Sequence, residues 1–160
     1  MFAIIVAAAI TISHADVPEI RAPKAVATRP ADTAARIAHA LSPRENFRSM
    51  ILLHLNRSEA GMRLIALYGE ERAASMLSVA ADTVANRYAA EWEANLAAAY
   101  RQALSATEQQ TVLAAVQTSA PDVPDQLAGR VALALYRQSN PLLERASAET
   151  LSAVAARTSH

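Results

Sequence analysis

The sequence predicts an all-α fold, a small bundle of about six helices, on three observations. Alanine makes up about a quarter of the 160 residues, whereas glycine contributes 3 and aromatic residues 4%, a mixture poor in strand formers. Apolar residues recur at the 3.6-residue period through stretches without proline or glycine. A Leu-Ser-x-x-Glu sequence occurs twice, as "LSPRENF" at 41–47 and "LSATEQQ" at 104–110, each time where a helix should start. A chain of this length fits one domain with one core.

The first segment reads as an address. Residues 2–12 are an uninterrupted apolar run, and Ser13 and Ala15 flank His14 in the small-x-small pattern of a signal-peptidase site. Residues 1–15 are therefore expected to be a signal peptide cleaved before Asp16, although no Lys or Arg precedes the apolar run. That run is shorter than the roughly 20 residues a membrane-spanning helix needs, so no stable membrane anchor is expected after cleavage. The expected location is periplasmic or secreted. Residues 16–31 contain Pro18, Pro23 and Pro30, mixed charges and no apolar period, and are expected to form a disordered linker. The helical domain is placed at 32–158.

Within it, Asp32 caps a short helix through Leu41. Ser42, Pro43 and Glu45 then supply an N-cap, a proline at the first helical position and a capping carboxylate. The second helix runs to about Arg57, with Phe47, Met50, Ile51, His54 and Leu55 on one face. Ser58 caps a third helix, 59–68, which Gly69 ends.

Residues 70–104 contain no proline or glycine. At 100° per residue Leu77, Ala81, Val84, Tyr88, Trp92, Leu96 and Ala99 fall along one stripe, with Asp82, Asn86, Glu93 and Arg101 across from it. An unbroken helix here would be about 50 Å long at 1.5 Å per residue, more than one flank of so small a domain should cover. The stretch reads as one amphipathic helix or as two joined near Asp82, and its length makes a break, or a dimer partner, a reasonable expectation. Ser105 and Glu108 repeat the capping box before a helix at 106–118, and "SAPDVPD" interrupts it. Pro124 starts a helix carrying Leu127, Val131 and Leu135 that ends near Ser139. Asn140 and Pro141 start the last one. Both Leu-Ser-x-x-Glu copies are thus explained by capping, with the leucine as a hydrophobic staple.

The stretch "NLAAAYRQALSATEQQTVLAAV", 95–116, resembles the bacterial domain of unknown function 2059, in which a Tyr-containing helix leads through a Ser or Thr cap and an acidic residue into another helix. The resemblance implies a small, exported, all-helical protein without known catalytic residues. It rests on this stretch, and the aromatic pair and Gly-Lys segment that follow in that family are replaced here by "AAVQTSAPDVPD". The two capping sequences also look like degenerate forms of the Leu-Thr-x-x-Gln motif of small periplasmic stress chaperones, with Ser for Thr and Glu for Gln.

Residues with chemistry to offer are few. There is no cysteine, which excludes disulfides and thiolate nucleophiles. Acidic and basic residues balance at 15 each, so no net field favours nucleic acid as a partner. Of four histidines, His14 lies in the signal and His160 at the terminus, and His39 and His54 have no metal-ligand spacing. Glu70 with Glu71, and Glu91 with Glu93, stand one and two residues apart and point in different directions on a helix. Ser49, Ser75 and Ser78 lack a nucleophile elbow, and Gly61, Gly69 and Gly129 build no phosphate loop.

The expected protein is therefore no enzyme and needs no cofactor or metal. It is expected to bind a protein partner or itself, as an envelope interaction or scaffolding domain, and the alternative is a chaperone holding unfolded clients on an amphipathic helix. The candidate partner surface is the stripe Leu77, Val84, Tyr88, Trp92 and Leu96.

Overall fold

A computed structural model describes residues 32–118 and 124–158, and the signal and linker expected at 1–31 lie outside them. Six helices occupy the described residues, without a strand: α1 Thr33–Ala40, α2 Pro43–Asn56, α3 Glu59–Tyr68, α4 Glu70–Ala103, α5 Ala106–Gln117 and α6 Asp125–Thr158. The all-α class and the helix number agree with the sequence. No helix among them is long and apolar enough to cross a membrane.

The long helices α4 and α6 form the spine. Arg87 pairs with Glu149, Glu91 with Arg145, Asn95 with Gln138, and Arg130 donates to the Ala103 carbonyl, so numbers rise along one helix as they fall along the other. The two are antiparallel. Helix α2 lies against α4 through Arg44 to Asp82 and Arg48 to Ser78, α1 through His39 to Glu93 and Asp32 to Arg101. Gln110 of α5 reaches Thr33 of α1.

The main core joins Phe47, Ile51 and Leu55 of α2, Leu77, Val84, Trp92 and Leu96 of α4, and Leu142, Leu143 and Val154 of α6. A smaller cluster holds Ile37, Leu104, Val112, Leu113 and Val131 at the other end. Alanines 80, 81, 85, 97, 99, 134 and 146 are also buried, which lets helix backbones approach closely. This is what the high alanine content is for.

Three junctions follow the sequence. The Asp32 side chain accepts from the Ala35 N–H at 3.4 Å, and Ser58 Oγ accepts from Gly61 at 3.0 Å. Ser105 and Glu108 form a true capping box, the serine accepting from the Glu108 N–H and the glutamate accepting from the Ser105 N–H at 2.7 Å.

Two expectations are corrected, and the continuity of residues 70–104, open in the sequence, is decided. The first Leu-Ser-x-x-Glu is not a capping box: Ser42 sits at φ 50°, makes no side-chain cap, and Glu45 instead pairs with Arg44. Only Leu41 and Ser42 separate α1 from α2, and Pro43 bars the preceding residue from the right-handed helical region, so the chain reverses through a left-handed serine. Residues 70–103 form one unbroken helix, because α1, α2 and α3 cover it in series on one side while α6 runs along another. Finally, residues 125–158 form a single helix with Pro141 inside it, not two helices meeting at Asn140. Packing against α4 on both sides of the proline, by Val131 and Ala134 before it and Leu142, Leu143 and Ala146 after it, holds the axis together. Asn140 does not cap, and donates to Glu144.

Candidate functional site

The candidate stripe does not form a free surface. Leu77 and Trp92 are 1% exposed and Val84 and Leu96 3%, all inside the main core. Trp92 stacks on Phe47 with ring centroids 4.7 Å apart, and its indole N–H donates to Asn46 Oδ1 at 3.0 Å. The partner-surface expectation is corrected: α2 and α6 cover the stripe that a protruding helix would have shown. Only Tyr88 reaches the edge of the core, half-buried, with its hydroxyl at the surface.

That hydroxyl belongs to a polar cluster between α4 and α6. Tyr88 donates to Glu149 at 2.5 Å, Arg87 donates to the same carboxylate at 2.6 Å, and the Arg145 guanidinium lies 5.0 Å from the centre of the Tyr88 ring. Arg145 also donates to both oxygens of Glu91 at 2.8 Å. The Tyr88 phenol is pushed above its ordinary pKa of 10.0, first by its hydrogen bond to Glu149 and then by partial desolvation. Through Glu149, Tyr88 and Arg87 tie α4 to α6. The adjoining cleft, about 180 Å³, is lined by Thr83, Arg87, Ser152 and Arg157 over alanines and Val84.

The other carboxylates with chemical interest are also engaged, each elsewhere. Glu93 meets His39 Nδ1 at 3.1 Å across an open groove of about 550 Å³, which Asp32, Arg36 and Gln117 also line. Asp32 is taken by Arg101 and Asp82 by Arg44. Glu108 is held by Arg130 at 2.8 Å, and that guanidinium together with the Ser105 cap lowers its pKa to about 2. Glu91 and Glu93 thus face different helices, one toward α6 and one toward α1. No group of three His, Asp or Glu among the described residues is arranged to hold a metal ion.

The feature that sequence reasoning missed is an apolar groove between α3 and the end of α6. Leu64, Leu67 and Tyr68 form one wall, Leu151 and Val154 the other, with Glu59, Arg63 and Thr158 at the rim, enclosing about 390 Å³. Leu67 is 75% exposed and Met62, on the same helix, 55%. In the sequence the signal was present: Met62, Leu64, Ile65 and Leu67 leave α3 apolar on more than one side, so a single core contact does not bury them all. A second exposure, Leu133 and Tyr136, lies on the first half of α6.

No family model, no curated protein and no solved structure matches this chain.

Proposed function

We propose that this chain is an exported, non-catalytic helical protein that acts by binding another protein, as an interaction or scaffolding domain of the cell envelope. The observation that carries the binding reading is the α3 to α6 groove, where an apolar floor is bordered by Leu67, a large side chain left three-quarters exposed. Apolar surface so placed gains free energy when a partner covers it. The occupant fitting it is a helix or extended segment with an apolar face, since the rim charges Glu59 and Arg63 already neutralise each other. Export is supported by the apolar run at 2–12 and the small residues at 13 and 15. The likeness of residues 95–116 to the domain of unknown function 2059 is in keeping with both.

The test is crosslinking of the tagged protein in its native cell, with mass spectrometry of what it captures. One dominant partner, lost with Leu67→Arg, supports the proposal. Capture unaffected by Leu67→Arg refutes the groove, and a mature N-terminus other than Asp16 or a close neighbour refutes export. The exposure of Leu133 and Tyr136, roughly 30 Å along α6 from Val154 at helical rise, favours a second reading in which several apolar points hold unfolded clients. Capture of many unrelated exported proteins would select it.

A further inference from the structure

We infer that α3 is a hinged flap. Pivoting on its start, which is pinned at Ser58 and Gly61, its C-terminal half, residues 64–68, lifts away from the core as Gly69 yields, and the motion widens the groove beneath it. The motion follows from how α3 is held. Its use in recognition rests on the groove being the partner site.

The pinned end is tight. Ser58 Oγ donates to the Leu55 carbonyl at 2.8 Å and accepts from the Gly61 N–H at 3.0 Å. Gly61 lies so close to α2 that a Cβ there would stand 2.0 Å from the Leu55 oxygen. Backbone against backbone leaves no room to slide.

The other end is loose. Gly69 takes φ 79°, has nothing within 4 Å of the position a Cβ would occupy, and donates its N–H to the Ile65 carbonyl at 2.9 Å, while across the junction the exposed Arg72 guanidinium lies 5.5 Å from the centre of the Tyr68 ring. A glycine so placed absorbs a change of backbone angle at little cost. Nothing caps the start of α4 there with a side chain.

Between these ends little apolar burial restrains the helix. The one fully buried residue of α3 is Gly61, which has no side chain, while α4 buries Leu77, Val84, Trp92 and Leu96. Leu64 and Ile65 are half-buried, and Leu67 and Met62 stand mostly in water. Ten residues, about 15 Å, are also fewer than an isolated helix needs to persist in water. Across the groove α6 offers α3 a facing wall but no close seat. Opening α3 therefore exposes far less apolar surface than opening the fold, which is the condition for a local, low-energy excursion.

Hydrogen exchange of the full chain, resolved by mass spectrometry under native conditions, tests this. Amides 63–68 should exchange at least about 100-fold faster than amides 84–96 of α4. Leu64→Ala should speed the first set about tenfold more and leave the second unchanged. Equal protection of the two segments in the wild-type protein, a comparison that needs no variant to fold, overturns the flap. So does equal acceleration of both by Leu64→Ala, because α3 would then detach only with the whole fold. Neither readout depends on whether a partner is found.

Discussion

At the residue scale the two glycines Gly61 and Gly129 show opposite demands. A methyl on Gly61 has to displace the Leu55 carbonyl, whereas one on Gly129 meets nothing within 4 Å. Gly61→Ala should destabilise the protein by about 2–3 kcal/mol, as overpacking does, and Gly129→Ala should stabilise it by about 0.5–1 kcal/mol through helix propensity. Chemical denaturation followed by circular dichroism reads both. Glu108 makes a pH prediction. Its carboxyl titrates at about 2 in the folded protein against an ordinary 4.5, so the unfolded chain takes up that proton first. The stabilisation by this cap and its Arg130 pair is complete above pH 4.5 and is lost as pH falls toward 2. Glu108→Gln, which can still cap, should flatten that part of the acid-unfolding profile, and an unchanged profile would remove Glu108 as its source. The capping box at Ser105 was legible because both partners lie within four residues. The failure of the same pattern at Ser42 was not, because there the neighbouring helix, only two residues upstream, dictates the turn.

At the scale of elements the sequence located starts and stops well but judged continuity poorly. Gly69 and Ser58 bound α3 as read. Proline at 141 read as a start and is an interior residue. A proline there removes the hydrogen bond to the Arg137 carbonyl and crowds it, a cost of about 3 kcal/mol in a helix interior. The contacts of Leu142, Leu143 and Ala146 on one side and Val131 and Ala134 on the other outweigh it. Pro141→Ala should therefore raise stability by roughly 2 kcal/mol, the restored hydrogen bond less the entropy returned to the unfolded chain. A lowered midpoint in denaturant would show instead that the proline shapes α6 to fit α4. The unbroken α4 follows the same rule. Its apolar stripe ran the whole length in the sequence, but whether enough neighbours existed to cover it depended on where α1, α2, α3 and α6 settled.

For the molecule as a whole, the core and the candidate site trade places relative to expectation. Trp92 is the centre of the bundle, and Trp92→Ala should cost about 3–5 kcal/mol and leave Asn46 without its indole donor. Leu67→Arg should change stability by less than about 0.5 kcal/mol, since the side chain already stands in water, while abolishing partner capture. A large loss of stability from Leu67→Arg would mean that α3 is a core element and not a recognition surface.

By itself, the sequence determined the helical class, the positions of the caps at Asp32, Ser58 and Ser105, the apolar stripe of α4, and the lack of any thiol chemistry. These depend on residue type and on spacings of a few residues, where propensity, capping and helical period act. Which faces were covered, which glycine was trapped, whether a proline broke its helix and where an apolar groove stayed open were decided only by tertiary structure. Each depends on how much surface a distant helix takes out of water at that place, a quantity that no local spacing carries.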